Sequence, residues 1–345
     1  LANKVNGRST VYNKITSKDK LEKINIKNKE LQNDFLGYLE SIDRSPKTIT
    51  QYENDLNIFF VWNLENNENK FYVDSKKRDI IRFQGYCINK LKWSPKRTRR
   101  VRSAISSLSK YIVNILDEEY PDYKNLIEKI EAPANEAVRE KTVIPDELVQ
   151  FLLDHLIKTE QYEKAVAIAI CAFSGMRKSE LLQMKMSFFD KEHLEYEGSL
   201  YKTDKIRGKG RGKKGKQINK YIMAKVSYYI DLWIAKRKEL GIDLDDVFVT
   251  RSGGKWAPRK TIDHWCAEFS KIVNLDVYWH SFRHYTCTLL NEYNLPPEVI
   301  KEFFAWDSSE MISIYNDRTA ESDFGKYFSA SGAIKQDETN FKDIK

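Results

Sequence analysis

Apolar positions recur along this chain in two different periods, and the change from one to the other organises it. Phe35, Leu36 and Leu39, then Ile49, Tyr52, Leu56 and Phe59, follow at three- and four-residue steps, as do Ile80, Ile81, Phe83 and Cys87, and then Val101, Ile105, Leu108 and Ile112. That spacing lines one face of an α-helix, so residues 29–130 are predicted to form a helical bundle, its third helix near 78–91. Ser45-Pro46 and Ser94-Pro95 each set a capping hydroxyl before a proline, which marks helix starts. Residues 1–28 are basic without a sustained apolar face and read as an arm. The charged stretch 131–143, with Pro133, reads as a linker that lets two domains hinge, and 331–345 as a polar tail.

The second half, 144–330, starts with Asp146 and Glu147 in a first helical turn. Residues 164–174, KAVAIAICAFS, are apolar nearly all round, which predicts a central buried helix ended by Gly175. Between 194 and 224 the period drops to two: LEYEGSLYKTDK and QINKYIMA read as strands around the turn GKGRGKKGK. Helical spacing returns at Val226, Tyr229, Ile230, Trp233 and Ile234, DVFVT reads as a short strand, and a helix is expected over Thr261 to Val273. Leu289 and Leu290, then Val299, Ile300, Phe303 and Phe304, predict two helices broken at Leu295-Pro296-Pro297. The fold class is mainly α with a small β-hairpin sheet, in two domains.

Charge narrows the choice of partner. Lys plus Arg exceed Asp plus Glu by 58 to 50 in 345 residues, a net +8 that suits a polyanion. Lys96, Arg97, Arg99, Arg100 and Arg102 crowd one helix end and repel one another without an anionic partner, so they are expected on a DNA backbone. Lys255, Arg259 and Lys260 form a second basic turn that can reach DNA. Cys87, Cys171, Cys266 and Cys287 stand singly among apolar residues, which argues against zinc or disulfides and for reduced core thiols. No metal and no cofactor is expected. The GKGRGKKG string lacks the spacing of a nucleotide-binding loop. No apolar run approaches the roughly 20 residues of a membrane span, and residues 1–25 lack a signal-peptide core, so a cytoplasmic protein with no membrane partner is expected.

The chemistry concentrates near the C-terminal end. His280 and Arg283 lie three apart on one helical face, Trp306 follows, and Tyr315 comes nine residues later. An arginine fork binds phosphate oxygens, His and Trp donate hydrogen bonds, and Tyr supplies an oxygen nucleophile, a set suited to attack on a phosphodiester. Upstream, Arg177 follows Gly175 directly after the buried helix, with Glu180 one turn on.

These strings resemble the tyrosine site-specific recombinases, the lambda-integrase, Cre and Xer family. HSFRHYTCTLL stands where that family has an H-x-L-R-H-T-x-A-T-L-L-like box, FFAWDSSEMISIYND where it has L-G-H-S-S-x-x-T-T-x-x-Y, and GMRKSELLQMKMSFFD resembles G-x-R-x-x-E-L-x-x-L. Trp306 stands for the family's commoner His. The resemblance covers roughly 29–330 and implies a C-shaped clamp of a helical core-binding domain and a catalytic domain. It implies Arg177 and Arg283 as phosphate clamps, Glu180 as a brace for Arg177, His280 as general base, Tyr315 as nucleophile, and a hairpin lysine as general acid. G-K-G at 208–210 points to Lys209 for that lysine, and the long turn keeps Lys205 as a rival. The implied partners are double-stranded DNA with inverted-repeat sites and three further copies of the chain in a tetramer. Integration or excision of a mobile element, chromosome or plasmid dimer resolution, a type IB topoisomerase, a hairpin telomere resolvase and a non-catalytic DNA-binding protein on the same scaffold all stay open.

Overall fold

A computed structural model of the chain describes residues 15–134, 142–210, 212, 214–250, 254 and 259–316, with no side-chain description for 259–261. The described residues divide into two units, 15–134 together with 208–217, and 142–207 together with 218–316. Among them, no helix is long and apolar enough to cross a membrane.

In the first unit the expected bundle is built from α1 (Lys18–Glu22), α2 (Ile26–Ser41), α3 (Pro46–Asn66), α4 (Lys77–Asn89) and α5 (Pro95–Ile115). Both serine caps form: Ser45 Oγ accepts from the Thr48 N–H at 3.2 Å and Ser94 Oγ from the Arg97 N–H at 3.3 Å. Phe59 sits at the centre, edge-on to Tyr72 at 5.7 Å and to Phe83 at 5.1 Å. Buried Asn28 donates to the Lys70 carbonyl at 2.8 Å and accepts from the Tyr72 N–H at 2.7 Å, which pins the α3–α4 connection to α2.

Three expectations change here. Residues 15–28 are part of the bundle rather than an arm, because Ile24 and Asn28 are buried in it; residues 1–14 lie outside the described residues. Ile81 is 54% exposed, since the inward stripe of α4 runs through Ile80, Phe83 and Cys87. The basic end of α5 also finds partners within the unit. Asp55, 2% exposed on α3, takes Arg97 at 2.9 Å and Arg100 at 3.1 Å. Arg99 donates to the Pro133 carbonyl at 2.6 Å, and Arg102 donates to the carbonyls of Ile127 and Ile130. Arg99 and Arg102 thus hold the irregular segment after α5, and Asp55 offsets part of the repulsion expected within the cluster. Lys96 and Arg100 remain exposed.

The second unit wraps around α7 (Tyr162–Ser174), preceded by α6 (Asp146–Lys158) and followed by the short α8 (Lys178–Leu181). Every residue of α7 from Ala165 to Ser174 is buried, and its small side chains let neighbouring helices approach closely. Then come β1 (Leu194–Glu195), β2 (Leu200–Lys202), β3 (Ile206–Gly208), β4 (Lys216–Ile218) and β5 (Tyr221–Met223). β1, β2 and β5 form an antiparallel sheet in which Tyr201 opposes both Leu194 and Ile222, and β3 pairs with β4 separately. The two predicted strands are therefore each broken once. At the break the Thr203 N–H donates to the Lys220 carbonyl at 3.0 Å, and the Lys220 N–H to Thr203 Oγ1 at 3.0 Å.

Beyond the sheet come α9 (Ser227–Glu239), α10 (Arg259–Val273), α11 (Trp279–Glu292), α12 (Pro297–Phe304) and α13 (Met311–Tyr315). DVFVT makes an isolated bridge, Asp246 to Lys185, rather than a strand, yet Val247, Phe248 and Val249 are buried. The Pro296-Pro297 break separates α11 from α12 as expected, but Val299 is 49% exposed while Ile300, Phe303 and Phe304 point inward.

Asp55 is the testable element of the first unit. Asp55→Ala removes the shared acceptor of two partly exposed arginines, so it should lower stability by about 1–2 kcal/mol, discounted for their solvent screening. Denaturant unfolding measures this, and an unchanged midpoint would show that the pairing adds nothing.

Candidate functional site

The site grows from the end of α7. Gly175 turns the chain there with φ +57°, its N–H donating to the Cys171 carbonyl at 2.8 Å. That turn releases Arg177 just before α8. Glu180, fully buried, accepts from the Arg177 backbone N–H at 2.8 Å and from its guanidinium at 2.8 Å. One carboxylate therefore caps α8 and aims the arginine. Burial acts to raise the Glu180 pKa, but Lys220 first and then Arg177 hold it below the usual carboxylate range.

Arg283 enters from α11 at 0% exposure. Its Nη1 donates to the Gly175 carbonyl at 2.6 Å. Among the described residues its Nε and Nη2, and the indole nitrogen of Trp306, are buried without a hydrogen-bond partner. Burial, and then the nearby Arg177, push the Arg283 pKa down to about 10, while Glu180 and Tyr315 act in the opposite direction.

Around Arg283 lie three rings. Phe304 stacks on Trp306 at 4.3 Å and 9°, and Trp306 on Tyr315 at 5.3 Å and 22°. The Arg283 guanidinium carbon is 4.7 Å, 5.1 Å and 5.0 Å from the centroids of Phe304, Trp306 and Tyr315. Tyr315, on α13, also meets the His280 ring at 5.1 Å and the His284 ring at 4.9 Å. The fold thus brings together Arg177, Glu180, His280, Arg283, Trp306 and Tyr315 from four separate stretches of chain.

Lys205 and Lys209 are both exposed, Lys209 in the turn after β3. The lysine inside the cluster is Lys220, 0% exposed, its Nζ 3.5 Å from the Phe303 carbonyl and 5.8 Å from the Phe304 ring centroid. Lys255 and the side chains of Arg259 and Lys260 lie outside the described residues. Sequence reasoning missed His284 and Lys220. His284 follows His280 by four residues and so shares its face, which was a readable signal.

Three cations, one carboxylate and buried donors beside a phenol thus lie together in one cluster. Comparison with known proteins gives the family. The phage integrase family profile matches residues 142–322, more than half of the 345. The SPbeta prophage-derived recombinase-like protein YomM of Bacillus subtilis (strain 168) is 29% identical over 302 residues, 84% of this chain and 88% of that protein. Among solved structures, the Tn1549 transposon integrase in complex with circular intermediate DNA aligns with TM-score 0.63 at 15% identity, covering 86% of this chain and 98% of that one. A lambda integrase dimer bound to a COC' core site aligns with TM-score 0.61 at 15% identity, covering 91% and 83%.

Gly175 tests how tightly the site is built. A Cβ there would lie 2.1 Å from Phe304 Cε1, on a backbone that side chains rarely adopt. Gly175→Ala should therefore cost roughly 2–4 kcal/mol of stability, combining left-handed strain with overpacking. Denaturant unfolding against wild type measures it; a loss under about 1 kcal/mol, less than the strain alone, would contradict the close approach.

Proposed function

This chain belongs to the phage integrase family, the tyrosine recombinases, and on that premise we propose that it is a site-specific DNA recombinase acting through a covalent 3′-phosphotyrosyl intermediate on Tyr315. The observation that carries this reading is the set of buried donors, Arg283 Nε and Nη2 and Trp306 Nε1, that have no hydrogen-bond partner among the described residues and lie on side chains packed against the Tyr315 ring. Donors buried without partners are costly, and a scissile phosphate supplies the acceptors they lack.

In the proposed reaction Arg177 and Arg283 hold the non-bridging oxygens and offset the charge that develops on them. The Tyr315 oxygen attacks phosphorus, a P–O bond to Tyr315 forms, and the bond to the 5′-oxygen breaks. A phenol ionises near pH 10, so a base must take its proton, and His280, 5.1 Å ring to ring from Tyr315, is assigned that part. Lys209 protonates the departing 5′-oxygen; the G-K-G string supports this choice over Lys205. The phosphotyrosyl link conserves the energy of the phosphodiester, so rejoining needs neither metal nor ATP.

The partner is double-stranded DNA carrying inverted-repeat sites. Strand exchange between two duplexes takes four cleavages and each chain carries one Tyr315, so the active form is a homotetramer on DNA. Lys96, Arg97 and Arg100 face phosphates from the first unit, with Arg99 and Arg102 bracing them, and Lys255, Arg259 and Lys260 add contacts. The prophage origin in YomM's name favours integration and excision of a mobile element over dimer resolution.

The test uses a nicked duplex bearing the inverted repeat found at the flanks of the gene. Wild type should be trapped as a covalent protein–DNA adduct, and Tyr315→Phe should bind that duplex and trap none. Adduct with the Phe variant would remove Tyr315 from the reaction.

A second substrate assigns the acid. Replacing the 5′-bridging oxygen by sulfur leaves little need for protonation, so it should restore cleavage to Lys209→Ala and not to Arg177→Ala. Rescue of Lys205→Ala with normal cleavage by Lys209→Ala would move the role to Lys205.

A further inference from the structure

Lys220 is a fully buried lysine at this site to which the reaction above gives no part. It touches the Phe303 carbonyl and Phe304 ring at the end of α12 and Thr203 after β2, and feels the charges of Glu180 on α8, Arg177 just before it and Arg283 on α11. Its ammonium has three donors and, among the described residues, makes one long hydrogen bond, to Phe303, at 3.5 Å. Two further cations stand close by, and Glu180 is already engaged with Arg177. A lysine kept solely to stabilise the interior would not be left in this position. An apolar side chain of similar length would fill the space without the loss of hydration.

We infer that Lys220 is a positioning residue for DNA cleavage, a buried ammonium packed against Phe304 behind the arginines, whose charge steadies Glu180 and with it the Arg177 that faces the phosphate. This rests on the recombinase reading above. Phe304 links the two ends of the arrangement, since its ring lies 5.8 Å from Lys220 Nζ and 4.7 Å from the Arg283 guanidinium carbon. Burial lowers the Lys220 pKa to about 7, against the opposing pull of Glu180, so its charge is complete below that pH and fades above it.

The experiment compares wild type with Lys220→Met in single-turnover cleavage of the nicked duplex between pH 6 and 9, alongside unfolding midpoints. Cleavage by the Met variant should fall roughly 10–100-fold at pH 6, the loss typical of a residue that orients a functional one. The ratio of the two rates should shrink as pH rises through and beyond 7. Effects of His280, His284 and Tyr315 on the profile are common to both proteins and cancel in that ratio. The unfolding midpoint of the Met variant should equal or exceed that of wild type. A bridging sulfur should not rescue it.

Three results would overturn the proposal: cleavage by the Met variant at the wild-type rate throughout, an unfolding midpoint that falls along with activity, or rescue by sulfur, which would make Lys220 the proton donor itself. Absence of adduct with wild type defeats the underlying reading instead, so the two failures are distinct.

Discussion

Burying a guanidinium is the constraint on which the catalytic unit depends. Arg283 has no exposed surface and one direct bond, to the carbonyl of Gly175, so the rest of its stabilisation comes from the faces of Phe304, Trp306 and Tyr315 and from Glu180 at longer range. Each of those supports imposes its own requirement. The carbonyl is available because α7 ends in a left-handed glycine, and the same glycine leaves room for Phe304. The rings are in reach because α12, started afresh at Pro296-Pro297, and α13 bring Phe304, Trp306 and Tyr315 against Arg283 of α11. Among the described residues Arg283 Nε and Nη2 find no hydrogen-bond acceptor, next to the one phenol in the stack.

Much of this was readable from sequence because it follows from period and punctuation. The serine-proline starts of α3 and α5, the all-apolar α7 with its glycine end, and the diproline break are local signals, and each names its own geometry. The grouping of Arg177 with His280, Arg283, Trp306 and Tyr315 was legible only through the family resemblance, since nothing in 345 residues of pattern says which loops meet. Lys220 shows the other limit. Ile218, Lys220 and Ile222 alternate onto one buried face, so period two does point the lysine inward. In a run with lysines at 214, 216 and 220 the charge argues for solvent, and only the position of Glu180 across the fold reverses that. Ile81 and Val299 fail for the converse reason: an apolar residue at the border of a helical stripe is placed by the neighbouring element, which the stripe does not reveal.

The two units use charge in opposite ways. In the second unit Arg177, Lys220 and Arg283 outnumber the carboxylate beside them, and two of the three, Lys220 and Arg283, are fully buried. On α5 the arginines are partly exposed, and Asp55 and backbone carbonyls hold them in fixed directions. The first arrangement suits chemistry on one phosphate; the second suits registering a long, uniformly charged backbone.

The Asp55 pairing also changes what an ionic-strength experiment would read. A nucleic acid sheds condensed counterions in proportion to the net positive charge brought to it, and one buried carboxylate shared by Arg97 and Arg100 leaves that pair presenting a single net charge. Arg99 and Arg102 keep their full charge, but with guanidiniums already tethered to carbonyls of the segment after α5. The slope of log affinity against log salt would then fall short of the number of arginines on the helix. A count of contacts inferred from such a slope would report the electrostatics of α5 and Asp55 together, rather than the footprint of α5 alone.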